Sequence, residues 1–163
     1  MLRLIITGTG GPLADPKRFG PSQIILIDDK KLAFDRGYGF VRQLVNLGIR
    51  PSEVDHLFIT HMHYDHVCDL PSLLFTAWHE TPRKRLQIYG PEGIKEFIQN
   101  GIKRAYELDI RSRSKIPILG RSIKVLDPDV HIIQEGTILQ KDGFKVEAAP
   151  VDHDLTSLAS LLR

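Results

Sequence analysis

ITHMHYDHVCDL, residues 59–70, is the stretch that decides how the rest of the chain is interpreted. It contains three of the chain's seven histidines within six residues, with an aspartate between the last two. The apolar residues Leu57 and Phe58 come directly before it. Because a short apolar run of this kind is typical of a buried strand, the polar cluster is predicted to stand where a strand ends.

The cluster has the pattern H-x-H-x-D-H, formed by His61, His63, Asp65 and His66. In extended backbone, residues i and i+2 point the same way, so His61 and His63 can reach one ion. Asp65 and His66 then lie in the turn before the next helix, where they can serve a second ion. Imidazole and carboxylate groups bind zinc well, and the same set accepts manganese or iron. The pattern therefore predicts a metal site, and a catalytic one, since structural zinc sites are normally closed and rich in cysteine.

The other histidines and the single cysteine are weaker candidates. His153 ends a predicted strand in the segment PVDHD and can supply the third protein ligand that a catalytic zinc needs. Cys68 could be a ligand, but a small buried residue at a loop–helix junction is favoured. His56 lies inside the predicted strand, where packing on the opposite face or exposure at a sheet edge is favoured over ligation. His79 and His131 have no ligand-type partner at suitable spacing, and neither is assigned.

The composition is that of an ordinary globular protein of 163 residues, with 42% hydrophobic and 26% charged residues. A net charge of +2 is too small to predict nucleic-acid binding by itself. The lone cysteine cannot form an intramolecular disulfide, which fits a reducing compartment. The first apolar run is too short for a signal peptide, and none reaches the roughly 18 residues of a membrane span. We therefore expect a cytoplasmic protein.

Apolar periodicity predicts strands and helices mixed along the chain, which is typical of an α+β fold. Strands are predicted at residues 2–7, 22–27, 31–35, 56–60, 86–89, 123–126, 131–134, 138–140 and 144–149. Helices are predicted at 40–47, at 70–78 after a cap at Asp69, and along an apolar stripe from Ile94 to Tyr106. The glycine-rich turn at 8–11 follows a strand, but Leu13 stands where a dinucleotide-binding loop needs its third glycine.

With these residues in view, the chain resembles the metallo-β-lactamase superfamily. Residues 60–66 match its T-H-x-H-x-D-H signature, and PVDH matches its third motif at His153. FDRGYGF resembles its D-x-G-x-G segment, with Asp35, Gly37 and Gly39 matching. The segments GTGGPLADPKRFGPS, DLPSLLFTAW and IYGPEG are typical of the tRNase Z and arylsulfatase-like branch.

The resemblance implies an αββα sandwich with a two-metal centre between its sheets. His61, His63 and His153 would hold one ion, and Asp65 and His66 would contribute to the other. Asp65 would also orient the nucleophile. The implied cofactor is Zn²⁺, as one or two ions, with Mn²⁺ or Fe²⁺ as alternatives. The implied reaction is attack by metal-bound hydroxide on a phosphodiester, as in tRNA 3′ processing, or on a sulfate or carboxylic ester. The partner would be RNA or a small ester, with no membrane.

Members of this superfamily continue well beyond their third motif, whereas ten residues follow His153 here. We therefore expect residues 1–163 to be one metallo-β-lactamase-like domain, C-terminally incomplete, with the N-terminal half and the start of the second. Half a sandwich leaves apolar surface uncovered, so a longer chain or a homo-oligomer is expected, such as a dimer exchanging strands near 155–162. The alternative function is a catalytically impaired half-domain that binds a metal or a partner. The basic segments 83–85 and 111–115 could contact RNA, but solvated surface charge is favoured.

Overall fold

The computed structural model describes residues 1–80, 84–116, 123–141, 143–153 and 157–162. One sheet contains β1 Leu2–Gly8, β2 Ser22–Ile27, β3 Lys30–Phe34, β4 His56–Phe58, β5 Gln87–Gly90 and β6 Asp129–Ile132 in sequential order. The first three strands are antiparallel, and β3 to β6 run parallel. A second, antiparallel sheet contains β7 Gly136–Lys141, β8 Phe144–Val151 and β9 Ser157–Leu162.

Helical segments connect the parallel strands. The α-helices are α1 Phe40–Asn46, α2 Tyr64–Val67, α3 Leu70–Glu80, α4 Ile94–Glu96 and α5 Glu107–Arg113. A π-helical segment, Phe97–Lys103, continues from α4, and the segments Pro51–Glu53 and Ile123–Leu126 are short 3₁₀ turns. Within the described residues no helix has the length and apolar character needed to cross a membrane.

The middle strands of the first sheet, β2 to β5, have buried residues on both faces. Adjacent residues of a strand point to opposite sides, so Ile24 packs with the helices while Ile25 faces the second sheet. In the same way, Leu57 packs with the helices and Phe58 faces the second sheet. The described residues therefore form a helical layer, a six-stranded sheet and a three-stranded sheet, and the predicted α+β class is confirmed.

The parallel strands β3 and β4 bring their following loops to one edge of the sheet. The Asp35 N–H, just after β3, donates to the Phe58 carbonyl at 2.8 Å. The N–H of Thr60, just after β4, is taken by the Asp35 carboxylate at 2.9 Å. The predicted strand at 56–60 therefore ends early, at Phe58. The N–H of Leu158 in β9 donates to the Thr60 carbonyl at 3.1 Å, which ties the second sheet to the same edge.

Two local predictions were wrong. Residues 123–126 form a 3₁₀ turn rather than a strand, because Leu126 is buried in the helix-side core instead of pairing at a sheet edge. The stripe ending at Tyr106 stops being buried after Ile102, since the wider π-helical turn changes the phase of the side chains. Asp69 directly precedes α3, as predicted, and its carbonyl accepts from the Leu73 N–H at 3.0 Å, while its carboxylate accepts from the Val41 N–H of α1 at 2.8 Å.

The inner face of β1 is uncovered. Leu2, Leu4 and Ile6 alternate along this edge strand and are 60%, 52% and 51% exposed. Strand β9, which covers part of the predicted exchange segment, pairs with β8 of the same chain. Residues 155 and 156 of that segment lie outside the described residues, so strand exchange stays a prediction.

Candidate metal centre

Five side chains that the sequence singled out come from three places in the fold. His61 and His63 follow β4, and Asp65 and His66 lie on the single turn of α2. His153 follows β8 in the second sheet. The hydrogen bond from the Leu158 N–H of β9 to the Thr60 carbonyl joins the two sheets at the edge where β4 and β8 end. The site is therefore built across both sheets.

The three predicted ligands of the first ion converge. One ligand atom from each of His61, His63 and His153 lies within 4.8 Å of the other two. His61 Nε2 and His63 Nδ1 are 3.0 Å apart, close to the edge of about 3.3–3.4 Å expected for a tetrahedron with Zn–N bonds near 2.0–2.1 Å. The ring centroid of His153 is 4.8 Å from each of the other two rings. The donor set and its spacing fit a divalent ion.

The two residues predicted for a second ion lie beside this triad. The ring centroid of His66 is 4.0 Å from that of His61, and His66 Nε2 is 3.7 Å from Asp65 Oδ2. Asp65 is 6% exposed, so its carboxylate is a buried acceptor. The structure thus brings all five predicted site residues together.

Burial lowers the pKa of His61, and His66, His63 and His153 lower it further against the opposing effect of Asp35. His61 is therefore held in its neutral form, which is the form that binds a metal. Burial also lowers the pKa of His66, but the hydrogen bond and charge of Asp35, together with Asp65, outweigh it, so the net shift is upward. The pKa of His61 is thus lowered while the pKa of the neighbouring His66 is raised.

Two residues that the cluster pattern did not assign support this site. The Asp35 carboxylate contacts the Thr60 N–H, the Thr60 hydroxyl and His66 Nδ1, all at 2.9–3.0 Å. The Thr60 hydroxyl is also 2.9 Å from His61 Nδ1. Asp35 is buried and has a φ of 54°, a left-handed conformation that is uncommon outside glycine. The D-x-G-x-G match and the threonine of the signature were the signals that could have found them.

Arg36 was also missed by the sequence reasoning. It is fully buried, and its guanidinium lies 3.8 Å from the centre of the Phe40 ring. Its backbone N–H donates to the His66 carbonyl at 2.6 Å, and its carbonyl accepts from the Asp69 N–H at 3.0 Å. These bonds hold α2, with its two site residues, against the loop that follows β3.

The remaining candidates have other contacts. His56 is buried among the rings of Phe58, Tyr89 and Phe144, as predicted for a packing residue. His131 stacks on Tyr89 with centroids 4.7 Å apart. His79 contacts the Phe75 carbonyl and Arg113. The Cys68 thiol is 3.9 Å from the Arg36 carbonyl, and burial, with the nearby Asp69, raises its pKa.

Comparison with known proteins finds a family model and relatives that match nearly the whole chain. The family model described as "Anti-Pycsar protein Apyc1" matches residues 2–161. A ribonuclease Z of Mycobacterium sp. (strain KMS) is 34% identical over 156 residues, which are 94% of this chain and 53% of that protein. A ribonuclease Z of Pyrococcus abyssi (strain GE5 / Orsay) is 31% identical over 163 residues, 100% and 48% of the two chains. The chain thus spans about half the length of these curated relatives.

Solved structures confirm the predicted metallo-β-lactamase fold. The short form of human tRNase Z superposes with a TM-score of 0.75 at 22% identity, covering 100% of this chain and 65% of that one. The metallo-β-lactamase fold protein YhfI from Bacillus subtilis superposes with a TM-score of 0.74 at 17% identity, covering 99% and 57%.

Proposed function

Because the chain belongs to the Anti-Pycsar protein Apyc1 family, within the metallo-β-lactamase superfamily, we propose that it is a metal-dependent hydrolase of phosphodiesters. The observation that carries the proposal is the convergence of His61, His63 and His153 from two sheets. Such a set of three histidines leaves a coordination position open, as catalytic sites do. The names of the ribonuclease Z relatives support RNA as one substrate. The family model is named after the anti-Pycsar protein Apyc1 instead, and its name does not state a substrate.

Each site residue has a distinct proposed role. His61, His63 and His153 hold one divalent ion, with zinc proposed first, and Asp65 and His66 contribute to a second. A bound ion would supply a hydroxide nucleophile at neutral pH and polarise a phosphoryl oxygen. Asp65, a buried carboxylate 3.7 Å from His66 Nε2, also orients the attacking water by accepting its hydrogen bond.

The basic segments contribute little support for RNA binding. Arg85 pairs with Asp129 at 3.1 Å, and Arg113 pairs with Asp109 at 2.7 Å. Arg83 lies outside the described residues. Because these cations already contact acidic groups, the phosphodiester class is proposed from the metal site rather than from surface charge.

Turnover of four substrates tests the proposal. The chain, supplied with Zn²⁺, Mn²⁺ or Fe²⁺, is assayed with bis-p-nitrophenyl phosphate, a tRNA precursor, p-nitrophenyl sulfate and p-nitrophenyl acetate. We expect metal-dependent turnover of the phosphodiesters that His63→Ala removes and the control His131→Ala retains. Equal turnover in both variants would show that the activity does not arise at this site. Turnover restricted to the sulfate or the acetate would instead place the enzyme with sulfate or carboxylic ester hydrolases.

A second candidate function is a half-domain that binds a metal or a partner with little activity of its own. One observation favours it: Leu2, Leu4 and Ile6 leave an apolar strip exposed on β1. We propose that this strip is covered by a second copy or by further polypeptide. Metal binding without turnover of any of the four substrates would favour this function over the hydrolase.

A further inference from the structure

The carboxylate of Asp35 contacts both groups of proposed metal ligands. On one side His66 Nδ1 lies 2.9 Å from Oδ2. On the other side the Thr60 hydroxyl lies 3.0 Å from Oδ1 and 2.9 Å from Oδ2, and continues to His61 Nδ1 at 2.9 Å. A single buried side chain is therefore connected to one histidine at each of the two ion positions.

The proton of the Thr60 hydroxyl determines which nitrogen of His61 carries hydrogen. An ionised carboxylate only accepts hydrogen bonds, and a hydroxyl has a single proton to donate. The Thr60 O–H must therefore donate to Asp35, because two oxygens without a proton between them would repel at 2.9–3.0 Å. The Thr60 oxygen then accepts from His61, so His61 carries its proton on Nδ1 and its lone pair on Nε2.

The same reasoning applies directly to His66. Its Nδ1 faces an acceptor-only carboxylate oxygen, so neutral His66 carries its proton on Nδ1. Its Nε2 then carries the lone pair on the side of Asp65. The lone pair of His61 Nε2 lies on the side of His63, within the histidine triad.

We propose that Asp35 and Thr60 are positioning residues that set the Nδ1–H form of His61 and His66 together, so that each ion position has one nitrogen ready to bind. The inference rests on the proposed metal-dependent function for its purpose, but its first test needs no metal. Hydrogen-bond partners of metal-bound histidines commonly set ring tautomer and orientation in this way.

The backbone of Asp35 offers a clean substitution. Its φ of 54° is left-handed, and asparagine tolerates that conformation as aspartate does. Asp35→Asn therefore changes hydrogen bonding with little backbone strain. An amide has one oxygen and two N–H donors, so it cannot accept both from the Thr60 N–H, which faces Oδ1, and from His66 Nδ1, which faces Oδ2. At Thr60, valine removes the hydroxyl at similar size, and serine keeps it.

Nitrogen-15 NMR of the imidazole rings tests the tautomers directly. The chelator-treated chain is measured at about pH 8.5 and then at higher pH until the ring shifts stop changing, because the pKa of His66 is raised above the usual value of about 6.5 and both rings must be neutral. We expect His61 and His66 both to carry hydrogen on Nδ1. Thr60→Val should change His61 alone, Thr60→Ser should change neither ring, and Asp35→Asn should change at least one. Hydrogen on Nε2 of either ring in the unmodified chain would overturn the inference.

Titration with Co²⁺, followed by its visible spectrum, tests the consequence. We expect Thr60→Val to weaken binding by about 10–100-fold and Thr60→Ser to stay within about threefold of the unmodified chain. Circular dichroism of each variant separates lost binding from lost folding. Equal Co²⁺ binding by folded Val and Ser variants overturns the inference and leaves the metal site intact. If the unmodified chain has both Nδ1–H rings and binds no Co²⁺, the proposed function fails while the tautomer inference is supported.

Discussion

Leu4→Glu should strongly weaken self-association of the chain. Leu2, Leu4 and Ile6 are each about half exposed on one face of the edge strand β1, and Ile5 packs on the other face against the helix-side core. Full burial of such a side chain stabilises by about 1.5–3 kcal/mol, so covering the remaining half contributes about 0.8–1.5 kcal/mol each. Six side chains in a symmetric pair, packed face to face, give about 5–9 kcal/mol.

The free energy gained by burying the strip is comparable with the cost of losing translational and rotational freedom on association, about 4–15 kcal/mol. We therefore expect a weak dimer rather than a permanent one. Replacing both copies of Leu4 removes about 1.6–3 kcal/mol, which weakens the dimer by about 15–150-fold. Like charges near the two-fold axis weaken it further. Sedimentation equilibrium measures the dissociation constant.

Val45→Glu is the matched control, because Val45 is 60% exposed on α1 and the substitution makes the same change of charge on another surface. We expect the control to associate like the unmodified chain. The reasoning is refuted if Leu4→Glu associates as strongly as the control, or if the unmodified chain is a stable monomer at high micromolar concentration.

Three further outcomes follow from the structure. His153→Ala should weaken Co²⁺ binding by more than about tenfold in a spectral titration, with His131→Ala unchanged, and equal binding would remove His153 from the site. The raised pKa of His66 means that its contribution to stability is full below about pH 6.5 and is lost as pH rises through the folded-state value. Urea unfolding of metal-free protein should therefore show the advantage over His66→Gln shrinking with rising pH, and a growing advantage would contradict this. Phe58→Ala, at a fully buried ring stacked 4.9 Å from Phe34, should lower the free energy of unfolding by about 3–5 kcal/mol, and a loss under about 1 kcal/mol would show that this position is not central to the core.

Apolar runs and the spacing of the histidines in the sequence were enough to predict most of the strands and helices and part of the metal site. The apolar run at Leu57 and Phe58 predicted a buried strand, and the structure places these two side chains in the cores on opposite faces of the sheet. The spacing of His61 and His63 predicted a shared ion for the same reason. His153 was a candidate only by its residue type and by resemblance.

Only the tertiary structure decided how distant segments meet. The parallel pairing of β3 with β4 places Asp35 beside Thr60, and the tie between β9 and Thr60 holds the second sheet, with His153, at the same edge. Neither contact has a local signature, because each depends on strand order and register. The exposure of the β1 strip has the same origin: its alternating residues look like those of any buried strand, and only the position of the second sheet leaves them uncovered.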